Sequence, residues 1–384
     1  ATARALKLDP LCGEAYASRL AIALFEGDFD AGRAAYERSS ELSPSYAMQY
    51  LWFGHMLLQN NLTKEGSDTY AIGMGLQPYR PYHLLKAAYA SSLIGLGRYD
   101  DGMRLRVQLV DEQRGTRLEE QYTTSLADLA FYEDRFSEAI AYAELAAIGG
   151  FDAAALRVTK AESYLALGDV AEAGRQLEVA EETFDLAPSD TDAYAAERLL
   201  YAKGILFLIL GQTDESLAIS RRLVEDVDSV PENAVWRAGG KAIDVAQLTF
   251  YQRQFGDAAR MLELVLQVFP QPGSFADAVY ANQQIGNVTR ASELIELGEL
   301  AFEEWMSQED RTAIWHPYVA KFDVVRGHKQ DAIDRLNRAT DAGQNNVNDL
   351  MMNPIYDSIR ADAEFIDVQE RMKAALDTEL ERVH

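Results

Sequence analysis

One short pattern limits what this chain can fold into. It first reads Gly27-Asp28-Phe29-Asp30-Ala31-Gly32: a tight turn, an aromatic residue, and a small residue five positions after the turn begins. Variants return at 97–102, 134–139, 168–173, 211–216, 253–258, 286–291 and 327–332. In phase, the small position is held by Gly32, Gly66, Gly102, Ala139, Ala173, Ser216, Ala258, Ala291 and Ala332. A second set of mostly small residues, Gly54, Ala90, Ala127, Ala161, Gly204, Ala246 and Ala320, falls on the segment before each turn. Two helices that cross closely need residues without bulk at the crossing, on both partners. Each pattern is therefore read as the turn between two helices of one repeat.

The period supports this reading. Pro10, Pro44 and Pro78 are spaced by 34 residues, and each proline should close a helix because it lacks an N–H to continue the ladder. Apolar residues at spacings of three and four, such as Tyr16, Leu20 and Ala23 or Tyr36, Ser39 and Leu42, place one stripe on each helix. The expected repeats span 13–46, 47–80, 83–117, 120–151, 154–187, 197–228, 239–271, 272–305 and 313–343. Residues 1–10 are expected to be the last helix of a truncated repeat, with more protein upstream. Asp185-Leu186-Ala187-Pro188-Ser189-Asp190-Thr191-Asp192 reads as an inserted loop or N-cap cluster. The stretches near 229–238 and 306–312 read as polar connectors or extra helical turns.

A 34-residue helical hairpin with small residues at these positions resembles the tetratricopeptide-repeat (TPR) family over nearly the whole length. The resemblance implies an all-α fold: a right-handed TPR superhelix, or α-solenoid, of about nine helical hairpins with a C-terminal capping helix. It implies one solenoid over 1–384, with regular repeats over 13–187, degenerate repeats over 188–343 and a cap over 361–384. Glu379, Glu381, Arg382 and His384 would give that cap a polar end, as a solenoid terminus needs. Leu336-Asn337-Arg338-Ala339, followed by Asn353-Pro354-Ile355-Tyr356-Asp357, is similar to the closing segment of TPR regions in bacterial signalling proteins. There such regions often follow a class III nucleotide-cyclase domain or a winged-helix DNA-binding domain.

Composition narrows the partners. A net charge of −25 and a pI near 4.6 argue against nucleic acid, whose phosphates need clustered Lys and Arg. The same charge disfavours anionic lipid and favours either a solvated surface or a basic partner. No apolar run is long enough to span a membrane. Cys12 is alone, is expected to be a small core residue, and leaves the compartment open. A cytoplasmic location is the working expectation.

The chain shows no catalytic or metal-binding constellation. His55, His83, His316, His328 and His384 lack ligand spacing, and no nucleophile motif occurs. Gly73-Met74-Gly75, Gly149-Gly150 and Gly239-Gly240 read as helix ends and turns. Asp100-Asp101 reads as a helix N-terminal pair, and Glu178, Glu181 and Glu182 as a solvated face. No enzyme activity, cofactor or metal is expected.

The site expected from the resemblance is the concave groove. In TPR proteins its wall comes from the second, fifth, ninth and twelfth positions of each first helix. Here these include Met48, Leu51, His55 and Leu58, then Gln121, Thr124, Asp128 and Phe131. Later repeats supply Val158, Glu162 and Leu165; Arg198, Tyr201, Ile205 and Leu208; Ile243, Gln247 and Phe250; Tyr280 and Gln283; and Lys321 and Val324. About half of the apolar members are expected to pack between repeats. Asp128, Glu162, Arg198, Tyr201, Gln247 and Tyr280 are the candidate binding residues, since Tyr and Arg dominate interface hot spots. Asp128 and Glu162 should lie close together, favouring a basic or amine-bearing ligand. Arg198 should either orient that ligand or pair with Glu162. A clamp for a peptide's C-terminal carboxylate is excluded, because its Lys and Asn positions hold Ala17 and Ala21, Leu51 and His55, and Ala87 and Ser91. The leading expectation is a non-enzymatic scaffold for a protein or peptide. The alternative is a sensory or regulatory ligand- or peptide-binding module of a larger signalling protein.

Overall fold

The computed structural model describes residues 1–60, 62–76, 83–151, 154–186, 193–231, 235–268, 270, 272–306 and 312–384. Among these the chain is all-α. After α1 (Thr2–Leu8) come nine helix pairs. They are α2 (Gly13–Glu26) with α3 (Phe29–Leu42), α4 (Ala47–Gln59) with α5 (Thr63–Gly75), and α6 (His83–Gly95) with α7 (Tyr99–Glu112). Next are α8 (Leu118–Tyr132) with α9 (Phe136–Ile148), α10 (Ala154–Leu167) with α11 (Val170–Leu186), and α12 (Ala193–Ile209) with α13 (Thr213–Asp228). The last are α14 (Val235–Tyr251) with α15 (Phe255–Val268), α16 (Pro272–Gln284) with α17 (Val288–Met306), and α18 (Thr312–Val325) with α19 (Lys329–Asp341). A tail follows: α20 (Val347–Met352), a 3₁₀ turn (Pro354–Ser358) and α21 (Ala363–Val383).

The turns and crossings lie where the periodicity puts them. Gly27, Gly97, Gly168, Gly211, Gly286 and Gly327 take φ between 71° and 83°, and Asp134 and Arg253 adopt the same left-handed conformation at 55° and 60°. A side chain there costs roughly 1–2 kcal/mol, so these two turns are the strained ones. All nine small positions are buried. At Gly102 an added Cβ would sit 2.5 Å from the Ala90 carbonyl oxygen, and backbone cannot move aside as a side chain can. Ser216 Oγ donates to the Gly204 carbonyl at 2.7 Å, so even the one polar member fits the crossing. Ala139→Leu or Ala173→Leu should therefore destabilise by roughly 1–3 kcal/mol through overpacking. A variant melting within about half a degree of the parent would place these alanines away from the crossing.

Three readings change. Gly239 and Gly240 lie inside α14 rather than at a helix end. A Cβ on Gly239 would overlap Val268 Cγ2, so this glycine admits α15 rather than ending α14. Cys12 is half-buried at the N-cap of α2, not in the core. The first helices of the sixth and seventh repeats begin at Ala193 and Val235, about one turn earlier than the pattern indicated. Pro78, Pro81, Tyr82 and most of the expected loop, residues 187–192, fall outside the described residues, as do 232–234 and 307–311.

Contacts gather into two compact units, Ala1–Thr123 and Thr124–His384. In the first, the core is a series of small clusters, each spanning neighbouring hairpins. Leu20, Leu24, Ala35, Phe53 and Met56 form one; Leu51, Tyr70 and Leu85 form the next; Ala87, Leu109 and Tyr122 form a third. This is the nearest-neighbour packing of a repeat array. The second unit is built differently. One continuous core runs from Phe136 to Leu376. α21 buries Phe365, Val368, Met372 and Leu376, and packs on α19 and also on α9 and α10. Two of its polar end residues bond back to early repeats: Glu379 Oε2 accepts from the Ser137 amide at 3.2 Å, and His384 Nε2 lies 3.0 Å from Asp169 Oδ2. The array of this unit thus closes on itself through its tail.

Candidate functional site

The polar side chains of the second unit converge because they sit on the first helix of successive hairpins. Asp128 is on α8, Thr159 and Glu162 on α10, and Arg198 and Tyr201 on α12. Gln247 and Tyr251 are on α14, Asp277 on α16 and Lys321 on α18. Residues three or four apart share a helix face, so each helix offers one or two groups to the same wall.

Two polar clusters result. In the first, the Arg198 guanidinium, 5% exposed, is bonded to Glu162, to Asp128 Oδ1 at 3.1 Å and to Thr159 Oγ1 at 3.3 Å. Thr159 Oγ1 also lies 2.7 Å from Asp128 Oδ1. Glu162 is 8% exposed, whereas 38% of the Asp128 side chain is open to solvent. Burial lifts the Glu162 carboxyl to about 7 despite Arg198, with Asp244 and Asp128 adding repulsion. Burial likewise lifts Asp244 to about 6. Arg198 stays charged: its burial is outweighed by Glu162 and Asp128.

The second cluster links the wall to the tail. Tyr201 Oη donates to Gln247 Oε1, Gln247 Nε2 donates to Tyr251 Oη, and Tyr251 Oη donates to Asp349 Oδ1, each at 2.7 Å. Asn353 Nδ2 donates to the same Asp349 oxygen at 3.0 Å. Lys321 Nζ sits between Asp277 Oδ2 at 3.5 Å and Asp349 Oδ2 at 3.6 Å. Burial opposes the Lys321 charge, but the two carboxylates prevail and raise its pKa. Asn348 Nδ2 donates to the Leu165 carbonyl at 2.9 Å, fixing the tail to α10.

Between wall and tail lies a cavity of about 110 Å³. Tyr132, Asp134, Gln247, Tyr318, Lys321, Gln344, Asn346, Asp349 and Tyr356 supply its polar lining, and Leu336, Leu350 and Met372 are among its apolar residues. Tyr132 and Tyr318 are exposed and mark its mouth; Lys321, Asp349 and Tyr356 are buried and form its floor. Burial raises Asp134 to about 7, against a hydrogen bond from the Asn345 backbone.

Five of the six residues expected to form the site, Asp128, Glu162, Arg198, Tyr201 and Gln247, therefore lie on one continuous wall. Tyr280 joins neither polar cluster among the described contacts and packs edge-on to Phe250 and Phe255, with ring centroids 5.8 and 5.7 Å away. Arg198 pairs with Glu162 and Asp128 alike. Sequence reasoning did not single out Asp244, Tyr251 or Asp277, although each lies one, four or three residues from a residue already placed on the wall. Asp349 and Tyr356 come from the non-repeating tail, where no period marks an inward position.

Neither a family model nor a curated protein sequence matches the chain. Similar solved structures include YrrB, described as a TPR protein with an unusual peptide-binding site. It shares 16% identity, covering 53% of this chain and 97% of that one, with a TM-score of 0.37. A tetratricopeptide repeat protein from Parabacteroides merdae shares 13% identity, covering 76% and 98%, at 0.37. The human IFIT1 dimer with PPP-AAAA shares 12%, covering 95% and 86%, at 0.47. No helix among the described residues is long and apolar enough to cross a membrane.

Proposed function

We propose that this chain is a non-enzymatic interaction scaffold that takes a protein or peptide along the inner wall of its hairpins. The observation that supports it is the way the second unit holds its own tail. Residues 346–353 lie against the first helices through Tyr251–Asp349, Lys321–Asp349 and Asn348–Leu165 contacts, mixing backbone and side-chain recognition. Tyr and Arg, both present on this wall, are enriched at binding hot spots. The acidic balance favours a basic partner, reaching the wall where Asp128 and Tyr280 remain partly accessible.

The test uses the whole chain as bait for a peptide library, followed by titration. Tyr201→Ala combined with Tyr280→Ala should weaken binding more than tenfold, or about 1.4 kcal/mol, with the helical signal intact. A folded double variant of unchanged affinity would remove these residues from the partner's footprint.

A second reading, a ligand-responsive regulatory module, is favoured by the cavity between wall and tail. Its ligand would bridge groups from α8, α14, α18 and the tail, and so tie the ends of the unit together.

A further inference from the structure

We infer that the cavity between the inner wall and the tail of the second unit binds a small organic cation, an amine or ammonium compound. The inference rests on the ligand-responsive reading and specifies its chemistry.

Size comes first. At about 110 Å³ the cavity is well below the roughly 300–1,000 Å³ of sites for drug-sized molecules. It has room for a compound of a few heavy atoms, or for several waters, since one water needs only about 10–15 Å³ on this measure.

Charge comes next. Among the described residues Lys321 is the one cationic group in the lining, and Asp277 and Asp349 already face it at 3.5 and 3.6 Å. Asp134 adds a further carboxyl to the lining, and Glu133 stands beside it in sequence. An anion entering here would meet carboxylates whose cation is already matched, whereas above about pH 7, where Asp134 and Glu133 ionise, a cation would offset an excess of negative groups. Among the described residues no three His, Cys, Asp or Glu are disposed to hold a metal ion, so the excess charge does not form a metal site.

An independent observation points to an occupant. Tyr356 lines the cavity and is 0% exposed, yet its Oη has no hydrogen-bond partner among the described residues. Buried polar groups are nearly always satisfied, and an orphan hydroxyl facing a cavity marks a place where a ligand or water atom belongs. The walls suit an ammonium in particular. Tyr132, Tyr318 and Tyr356 line the cavity, and aromatic rings attract cations through the ring quadrupole. Lys321 Nζ already lies 5.9 Å from the centre of the Tyr318 ring. A hydroxyl-bearing amine could in addition meet the Tyr356 Oη.

The test uses the full chain and four probes: choline and ethanolamine as cations, acetate as an anion and glycerol as a neutral compound, at matched ionic strength. Thermal melts with each probe up to about 20 mM should show a concentration-dependent rise in midpoint for choline or ethanolamine alone, as binding to the folded state requires. Calorimetric titration of Tyr356→Phe should then show affinity for the responding cation reduced at least tenfold, in a protein that melts at or above the parent without ligand, since an unpaired hydroxyl has been removed. A rise with acetate or glycerol but not with the cations would overturn the cation assignment and leave the ligand-responsive reading standing. Absence of any rise would overturn both, with the cavity holding water only. A Tyr356→Phe variant that melts like the parent and binds the cation equally well would place the ligand elsewhere and overturn the site.

Discussion

Arg198→Ala should destabilise this protein by about 3–5 kcal/mol, the range for breaking a buried ion pair from one side. The guanidinium is 5% exposed and is shared by Glu162, Asp128 and Thr159, which come from two neighbouring hairpins. Its removal leaves the Glu162 carboxyl buried without its cation, beside Asp244. Arg198→Lys should recover only part of the loss, because a point charge cannot reach three acceptors that a planar fork spans. Arg198→Met combined with Glu162→Leu should recover most of it, since neither charge is then stranded. Urea melts of the three variants decide the matter. If Arg198→Ala costs less than about 1 kcal/mol, the cluster is solvated and behaves as a surface pair.

The protein should also be more stable near pH 5 than near pH 8. Burial raises the carboxyls of Glu162, Asp134 and Glu133 to about 7, and those of Asp244 and Asp277 to about 6. In the unfolded chain such groups titrate near 4. Between about pH 4 and pH 7 these five carboxyls therefore bind more protons in the folded state, outnumbering His55 and His316, whose lowered pKa values act the other way, and stability falls as pH rises through that window. Above it the loss is complete. A tenfold difference in proton affinity between the folded and unfolded states is worth about 1.4 kcal/mol, so Glu162 alone contributes a change on the order of 3 kcal/mol. The raised pKa values of Arg198 and Lys321 act only at strongly alkaline pH and leave the window unchanged. Repulsion within a chain of net charge −25 acts in the same direction. Salt separates the two contributions, because it screens exposed charges and hardly touches buried ones. Stability that is flat or rising from pH 5 to pH 8 in high salt would mean that these carboxyls are ionised in the folded protein.

Both predictions depend on residues whose importance was only half legible beforehand. Arg198, Glu162 and Asp128 could be placed on one wall by helix position alone, since a 34-residue period carries each first helix into the same orientation. Whether Arg198 would face a ligand or its own neighbours could not be read, because that choice depends on how closely α8, α10 and α12 pack. Tyr280 occupied an inward position by the same rule, yet it packs edge-on against Phe250 and Phe255. Position on a helix gives a direction, and the neighbouring side chains decide what is met there. Gly239 shows the complement. A glycine pair looks like a helix end in one dimension, but here Val268 of the next helix takes up the space of the missing side chain.

The amino-acid sequence alone determined the hairpins, their turns and their crossings. These rest on local conformation and on contacts between adjacent helices, and such features repeat with a period that a linear reading can detect. Left-handed turns at eight positions and nine buried small residues follow from that period. Only the tertiary structure decided the path of the tail. Glu379 meets Ser137 across 242 residues, Asn348 meets Leu165 across 183, and Tyr251 meets Asp349 across 98. Contacts at such separations leave no periodic trace. They arise because the tail, after its last hairpin, buries Phe365, Val368 and Met372 against helices from the start and the end of its unit. The segment leading into that packing covers part of the inner wall through Asn348 and Asp349, and leaves the Tyr356 hydroxyl unpaired beside the cavity.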